Sequence, residues 1–308
     1  MILLEEWKMI HKIWKNMKRV SPALFIVLFF VVSSACSVLV PSAMIQNVTK
    51  QVYLGKLPAL PAVPPAADIV QLANAAGMTD KARAIFFATQ PEIDQDHQTF
   101  AQHCQTEIMQ NTAELGCYTS DHRVYILNIP DKRLSGEMVV VAAHEMLHAA
   151  YDQLSSSQQS AVNVLVANQV RQTHNADLAQ RLRVYSVLEP GQRNNELHSI
   201  LGTEFLSLSP ALERYYSQYF TDRSHVVKDS QNFDAVFSSL EKTLSSLKQT
   251  IVQVRRLMQV DRVRGNVSAY DRLVPQLNSL VDQYNQTAYT YDNLSGILVN
   301  GAGAFGGQ

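Results

Sequence analysis

The C-terminal part of the chain carries apolar residues at alternating spacings of four and three. One run extends from Phe233 to Met258 and a second from Leu277 to Leu298, with Gly265-Asn266 between them. This heptad spacing predicts two helices whose apolar seams face each other. Pro275 would break an interior helical turn, so we expect the second helix to begin near it. The sequence therefore predicts an antiparallel helical hairpin or coiled coil over residues 226–298, followed by a flexible tail at 299–308.

A different pattern marks the N-terminal end, where residues 22–45 are apolar or small and uncharged. The stretch is long enough to span a bilayer. Five basic residues precede it within positions 8–19, and only Lys50 and Lys56 follow closely. The positive-inside rule then places residues 1–21 in the cytoplasm and everything after the transmembrane anchor outside. Cleavage at a lipoprotein-like site before Cys36 is the alternative, but the apolar stretch continues past Cys36, which favours an uncleaved anchor.

Between these ends, a proline-rich segment at 46–67 predicts a semi-rigid linker, and residues 68–225 have the length of a single domain. Residues 140, 141, 144, 147, 148 and 151 recur at the spacing of one buried helical face. Arg123–Ile129 reads as a β-strand that ends at Pro130. We expect an α+β fold that is mostly helical with a small sheet.

Charge excludes one class of partner. The chain has 26 Lys and Arg against 27 Asp and Glu, a formal net charge of −1. The basic residues cluster only ahead of the membrane segment. A nucleic-acid partner is therefore not expected, because such binding needs a basic surface.

The chemistry is concentrated in one short motif, His144-Glu145-Met146-Leu147-His148. On a helix, residues four apart lie on one face, so the two imidazoles would meet. Zinc binds such nitrogens at about 2.0 to 2.1 Å, and the intervening Glu can reach a water in an open coordination position. We therefore expect His144 and His148 to bind Zn²⁺ and Glu145 to act as the catalytic base.

A catalytic zinc needs a third protein ligand. The metzincin pattern would require a His at position 154, which here is Leu154. The next helical stretch, 195–205, offers Glu196. With a Glu on a later helix completing HExxH, the chain resembles the gluzincin class of zinc metallopeptidases, which implies a zincin-like domain, peptidase activity and Glu196 as the third ligand. Many gluzincins carry an Asp four residues beyond this Glu; here that position is Ile200. The resemblance also implies that the strand within Arg123–Ile129 is an edge strand beside the active helix, which an extended peptide could join.

Two neighbours compete with Glu196 for a role. Glu204 lies eight residues further along nearly the same helical face, so one of the two could bind zinc while the other orients a ligand His. His198 points about 200° away from Glu196 on a helical wheel. It should not share the metal, but it could donate to a substrate carbonyl or be an ordinary surface histidine.

The stretch from Leu212 to Arg223 is rich in phenols and guanidinium groups. A zinc peptidase needs a donor aimed at the oxyanion that forms during amide hydrolysis. The candidates, beside His198, are Tyr215, Tyr216, Tyr219 and Arg223. The alternative for each is an aromatic stripe packed in the core.

Cysteine usage fits an oxidising compartment. Cys36 falls in the membrane segment, which leaves Cys104 and Cys117 for the soluble part. We expect these two to form a disulfide in an oxidising exterior. Zinc ligation by the two thiols is the alternative, but their spacing matches no common structural zinc site.

Two classes of function remain. The first is a membrane-anchored zinc peptidase that cleaves extracytoplasmic peptide or protein substrates by zinc-activated water. An amide hydrolase that acts on cell-wall peptide crosslinks would use the same chemistry. The second is a membrane-tethered scaffold without activity, whose HExxH is a structural or vestigial metal site and whose hairpin binds a protein partner. An intact Glu145 favours the first, because a purely structural site does not need it.

Overall fold

The structure is a computed structural model that describes residues 64–104, 115–173, 178 and 193–299. The N-terminal basic segment, the expected anchor at 22–45, most of the linker and residues 300–308 of the C-terminal tail lie outside these residues. Val299, where the tail was expected to begin, is the last residue of a helix. None of the helices in the described ranges is both long and apolar enough to cross a membrane.

The described residues form an α+β fold that is mostly helical with one small sheet, which confirms this part of the prediction. The chain order is α1 Ala67–Ala75, α2 Asp80–Ala88, β1 Glu92–Asp94, α3 His97–Cys104, β2 Gly116–Tyr118, β3 Val124–Leu127, α4 Glu137–Asp152, α5 Ser156–Gln172, α6 Arg193–Glu204, α7 Pro210–Tyr216, α8 Ser224–Val263 and α9 Val267–Val299.

The sheet has the strand order β1-β3-β2, with β3 parallel to β1 and antiparallel to β2. The expectation that the strand within Arg123–Ile129 lies at an edge was therefore wrong, because β3 is the central strand. All four of its residues are buried. The edge beside α4 is β2, whose three residues are too few to give an alternating pattern that could be read from the sequence.

Helix α4 forms the centre of the domain. Its residues from Val139 to Tyr151 are buried, with the exception of the partly exposed His144. A helix buried nearly all round requires apolar residues on most of its faces. The run of valines and alanines before the HExxH motif provides them, and the motif is thereby held in a packed interior.

A disulfide joins Cys104, the last residue of α3, to Cys117 in the middle of β2, with a Cα–Cα distance of 5.8 Å. These are the two cysteines that the sequence paired. The bond ties the short edge strand to a helix on the other side of the sheet. A three-residue strand has few ladder hydrogen bonds of its own, so this cross-link helps to fix its position beside α4.

Helices α8 and α9 form the antiparallel hairpin, joined by a turn in which Gly265 has a φ of +69°. At the base of the hairpin, Val226, Leu294 and Leu298 are buried in the core of the domain. The hairpin therefore packs on the domain that carries the HExxH motif.

The second helix of the hairpin does not begin near Pro275, as the sequence suggested, but at Val267. Pro275 lies inside α9 and is exposed, as is Asp271 one turn earlier. A proline takes the hydrogen-bond donor away from the carbonyl four residues before it. Here that carbonyl belongs to Asp271, where water can replace the missing donor, so the helix can continue through the proline.

Candidate metal centre

Helix α4 brings the two histidines of the motif together. His144 and His148 are one turn apart, and their ring centroids lie 4.7 Å from each other in an edge-on arrangement. His148 is buried, whereas His144 keeps about a fifth of its side chain exposed. The pair thus sits at the boundary between the core and a surface that solvent can reach.

Glu196, in the first turn of α6, faces both rings. Its Oε1 lies 3.4 Å from His148 Nε2, and its Oε2 lies 3.7 Å from His144 Nε2. One ligand atom from each of the three residues falls within 4.8 Å of the others. Two imidazole nitrogens and a carboxylate oxygen at this spacing could hold a metal ion.

The position of Glu196 depends on a close approach between α6 and α4. Gly202 lies where the two helices meet, and a Cβ on it would stand 2.5 Å from Leu147 Cδ1 and 2.9 Å from Tyr216 Cε1. A larger residue would push these buried side chains apart. Glycine at this point lets α6 lie close enough to α4 for Glu196 to reach both histidines.

Glu145 lies between the two histidines in sequence and is 6% exposed. It points toward the edge strand β2. A Cβ on Gly116 would come within 3.0 Å of Glu145 Oε1 and would collide with Val141 Cγ1. The glycine therefore leaves the space that the Glu145 carboxylate occupies between α4 and the sheet.

The charges of the site act in opposite directions on the two histidines. Burial lowers the pKa of His144, but the interaction with Glu196 and the charges of Glu145, Glu196 and Glu204 outweigh it and raise that pKa to about 9. Burial and the positive charge of His144 lower the pKa of His148 to about 4. Burial alone would raise the pKa of Glu196, but the two histidines reverse the effect and lower it. At neutral pH the metal-free cluster thus holds one proton, on His144.

This protonation makes metal affinity depend on pH. With a pKa of about 9, His144 must lose its proton to bind zinc, so the apparent affinity should fall below that pH by roughly tenfold per pH unit. His148 is neutral down to about pH 4 and adds nothing in this range. Competition with a chelator of known protonation at several pH values measures the slope. An affinity that is the same at about pH 6 and about pH 8 would contradict this assignment of charge.

Two further residues of α6 lie close to the histidines. The Asn195 side chain acts on His148 and raises the pKa of that imidazole, against the larger effect of burial. Glu204, in the last turn, is partly exposed and its charge helps to raise the pKa of His144. Among the described residues, Glu196 and not Glu204 has a carboxylate oxygen close enough to both imidazoles to share a metal ion with them. This geometry favours Glu196 as the ligand and leaves Glu204 an electrostatic role.

The structure places His198 in the core, where the sequence had left a substrate contact or a surface position open. The side chain is fully buried, and its Nε2 lies 2.8 Å from the hydroxyl of Tyr215. The Tyr216 hydroxyl donates to the His198 carbonyl at 2.6 Å. Tyr219 is also buried, and its hydroxyl lies 3.5 Å from that of Tyr215.

Arg223 is held away from the site as well. Its guanidinium pairs with Glu213 and donates to the carbonyls of Phe205 and Leu206. The candidate oxyanion donors therefore form a buried network that packs against α6. Their burial speaks against that assignment and favours the alternative, an aromatic stripe packed in the core. They support the helix that carries Glu196.

The sequence did not point to Gly116, Gly202 or Asn195. A glycine inside a helical or strand pattern signals a close approach of backbones, but it does not say what approaches. Asn195 directly precedes Glu196, and no spacing rule relates it to a histidine on another helix. Asn195 comes close to His148 only when α6 packs on α4, so the sequence alone does not reveal this contact.

Comparison with known proteins gives no relative. The chain matches no protein-family model, no curated protein and no solved structure.

Proposed function

We propose that this protein is a zinc-dependent peptidase of the gluzincin type, in which His144, His148 and Glu196 bind the metal and Glu145 is the catalytic base. The observation that carries the proposal is the convergence of these ligands from two helices, with ligand atoms within 4.8 Å of one another. Two imidazoles and one carboxylate are a ligand set of catalytic zinc, and three protein ligands leave a fourth position open.

Bound zinc would supply a Lewis acid that polarises the scissile carbonyl and acidifies a water. The rest of the chemistry belongs to the chain. Glu145 would accept a proton from the attacking water and pass it to the leaving amine. Its carboxylate is close enough to His144 for its charge to raise the pKa of that histidine, which suits this role.

An extended peptide could reach this face along β2. In the described residues β2 pairs with β3 on one side, and Gly116 at its start lies over Glu145. Main-chain hydrogen bonds to an edge strand would hold a substrate largely irrespective of its side chains. The absence of a side chain at Gly116 lets β2 lie close to Glu145, which would bring a peptide paired with β2 near the base.

Cleavage assays on the full chain test the proposal. Wild-type protein should cleave an unfolded protein or a cross-linked cell-wall peptide. The activity should be lost when a chelator removes zinc and should return when zinc is added. The two substrates separate a protein protease from an amide hydrolase of the cell wall. Stable zinc binding without cleavage of either substrate would favour the scaffold alternative.

We also propose, from the sequence of the N-terminal end, that the peptidase domain lies outside the membrane behind an uncleaved anchor. The Cys104–Cys117 disulfide supports an oxidising location. Protease added to intact cells or spheroplasts should then digest the domain. Protection of the domain, together with free thiols at both cysteines in freshly isolated protein, would place it in the cytoplasm.

A further inference from the structure

The far end of the helical hairpin exposes apolar side chains. Val263, the last residue of α8, is 77% exposed, and Val267, the first residue of α9, is 67% exposed. Leu257 and Val260 on the same end of α8 are also exposed. Gly265 between the helices has open space around it. We call this end, residues 255–272, the hairpin tip.

The hairpin tip is basic, so the expectation that basic residues cluster only ahead of the membrane segment was wrong. Five exposed arginines lie in it, at positions 255, 256, 262, 264 and 272. Against them stand two aspartates, at 261 and 271, so that five positive and two negative charges leave a net charge of +3. The whole chain has a net charge of −1. Within the described ranges none of the five arginines forms an ion pair, so their charges are open to an external partner.

The hairpin tip stands clear of the domain. Helix α8 packs on the domain core as far as Leu240. Beyond this point its buried residues are Ile251, Val254 and Met258, which belong to the seam of the hairpin and not to the core of the domain. At 1.5 Å per residue, the helix from Glu241 to Val263 extends roughly 35 Å.

We propose that the hairpin tip binds the surface of an anionic lipid bilayer. Val263 and Val267 would enter the boundary between headgroups and acyl chains, and the surrounding arginines would contact lipid phosphates. A protein partner fits less well, because a stable protein interface buries about 800 Å² on each side. The end of two helices offers a narrow surface for such a contact, whereas a bilayer needs only a few inserted apolar side chains among basic ones.

This inference does not depend on the proposed peptidase activity, and its test uses a local probe. The full chain carrying Cys36→Ser and Val263→Cys is labelled at residue 263 with an environment-sensitive fluorophore and reconstituted into vesicles. The remaining cysteines, Cys104 and Cys117, are joined in a disulfide and do not react. A second sample labelled at Asn285→Cys, an exposed site on α9 away from the tip, is the control. A local label makes the result independent of the way the N-terminal end associates with lipid.

Vesicles that contain phosphatidylglycerol should shift the emission of the label at residue 263 to shorter wavelength, and high salt should reverse the shift. Phosphatidylcholine vesicles should give none, and Asn285→Cys should not respond. Adding Arg262→Glu and Arg264→Glu to the labelled chain should abolish the response. The proposal is overturned if anionic vesicles cause no shift or if both lipids cause the same shift. A shift that appears with rising protein concentration in detergent alone would overturn it in favour of a second copy of the chain.

Discussion

Replacing Glu145 with Gln is expected to lower the rate of peptide hydrolysis by roughly 10²- to 10⁴-fold, which is the usual contribution of a general base. The amide of Gln has nearly the shape of the carboxylate, so it should fit the space that Gly116 leaves beside it. It cannot accept the proton of the attacking water. Because Glu145 does not belong to the cluster of possible metal ligands, the zinc content of the variant should stay at the wild-type value.

The matched control is Glu92→Gln, the same change at an exposed residue of β1. It should cleave at the wild-type rate. Zinc analysis and thermal unfolding of both variants separate a chemical effect from a loss of fold or metal. Cleavage by Glu145→Gln at the wild-type rate would mean that another group is the base.

The second large effect is expected at the third ligand. Glu196→Ala removes one of the three proposed protein ligands and leaves two imidazoles. This variant should lose zinc affinity by more than the roughly 10- to 100-fold that is typical when a residue hydrogen-bonded to a metal ligand is removed. Glu204→Ala should lose zinc affinity by no more than that factor, because Glu204 acts on His144 through its charge. Zinc content and affinity of the two purified variants give the comparison.

These two variants control for each other, because both remove a carboxylate from the same helix. His148→Ala should lose zinc as Glu196→Ala does. Full zinc in Glu196→Ala together with loss of zinc in Glu204→Ala would move the third ligand to Glu204 and overturn the assignment made from the geometry.

Local patterns could be read from the sequence. The spacing of His144 and His148 depends only on helical geometry, and so does the seam of the hairpin. Helix α4 and the antiparallel pair α8 and α9 were predicted for this reason. Helical geometry placed Glu196 and Glu204 on nearly the same face and could not choose between them. The approach of Glu196 to both rings needs the contact between α6 and α4 that Gly202 permits.

Features that depend on packing could not be read in the same way. Whether β3 is central or at an edge depends on which short segments pair with it, and β1 and β2 have only three residues each. Whether Tyr215 and Tyr216 reach the candidate metal site or pack in the core depends on which side of α6 the helix α7 contacts. Aromatic and basic residues are common in both places, so their types alone could not decide.

The central claim is that the cluster of His144, His148 and Glu196 is a catalytic zinc centre. The most direct test is to add zinc stepwise to metal-free full chain and to follow bound zinc and the rate of substrate cleavage in the same samples. We predict that activity rises in proportion to bound zinc and stops rising at about one zinc per chain. Saturation with about one zinc and no cleavage at any point would contradict the claim.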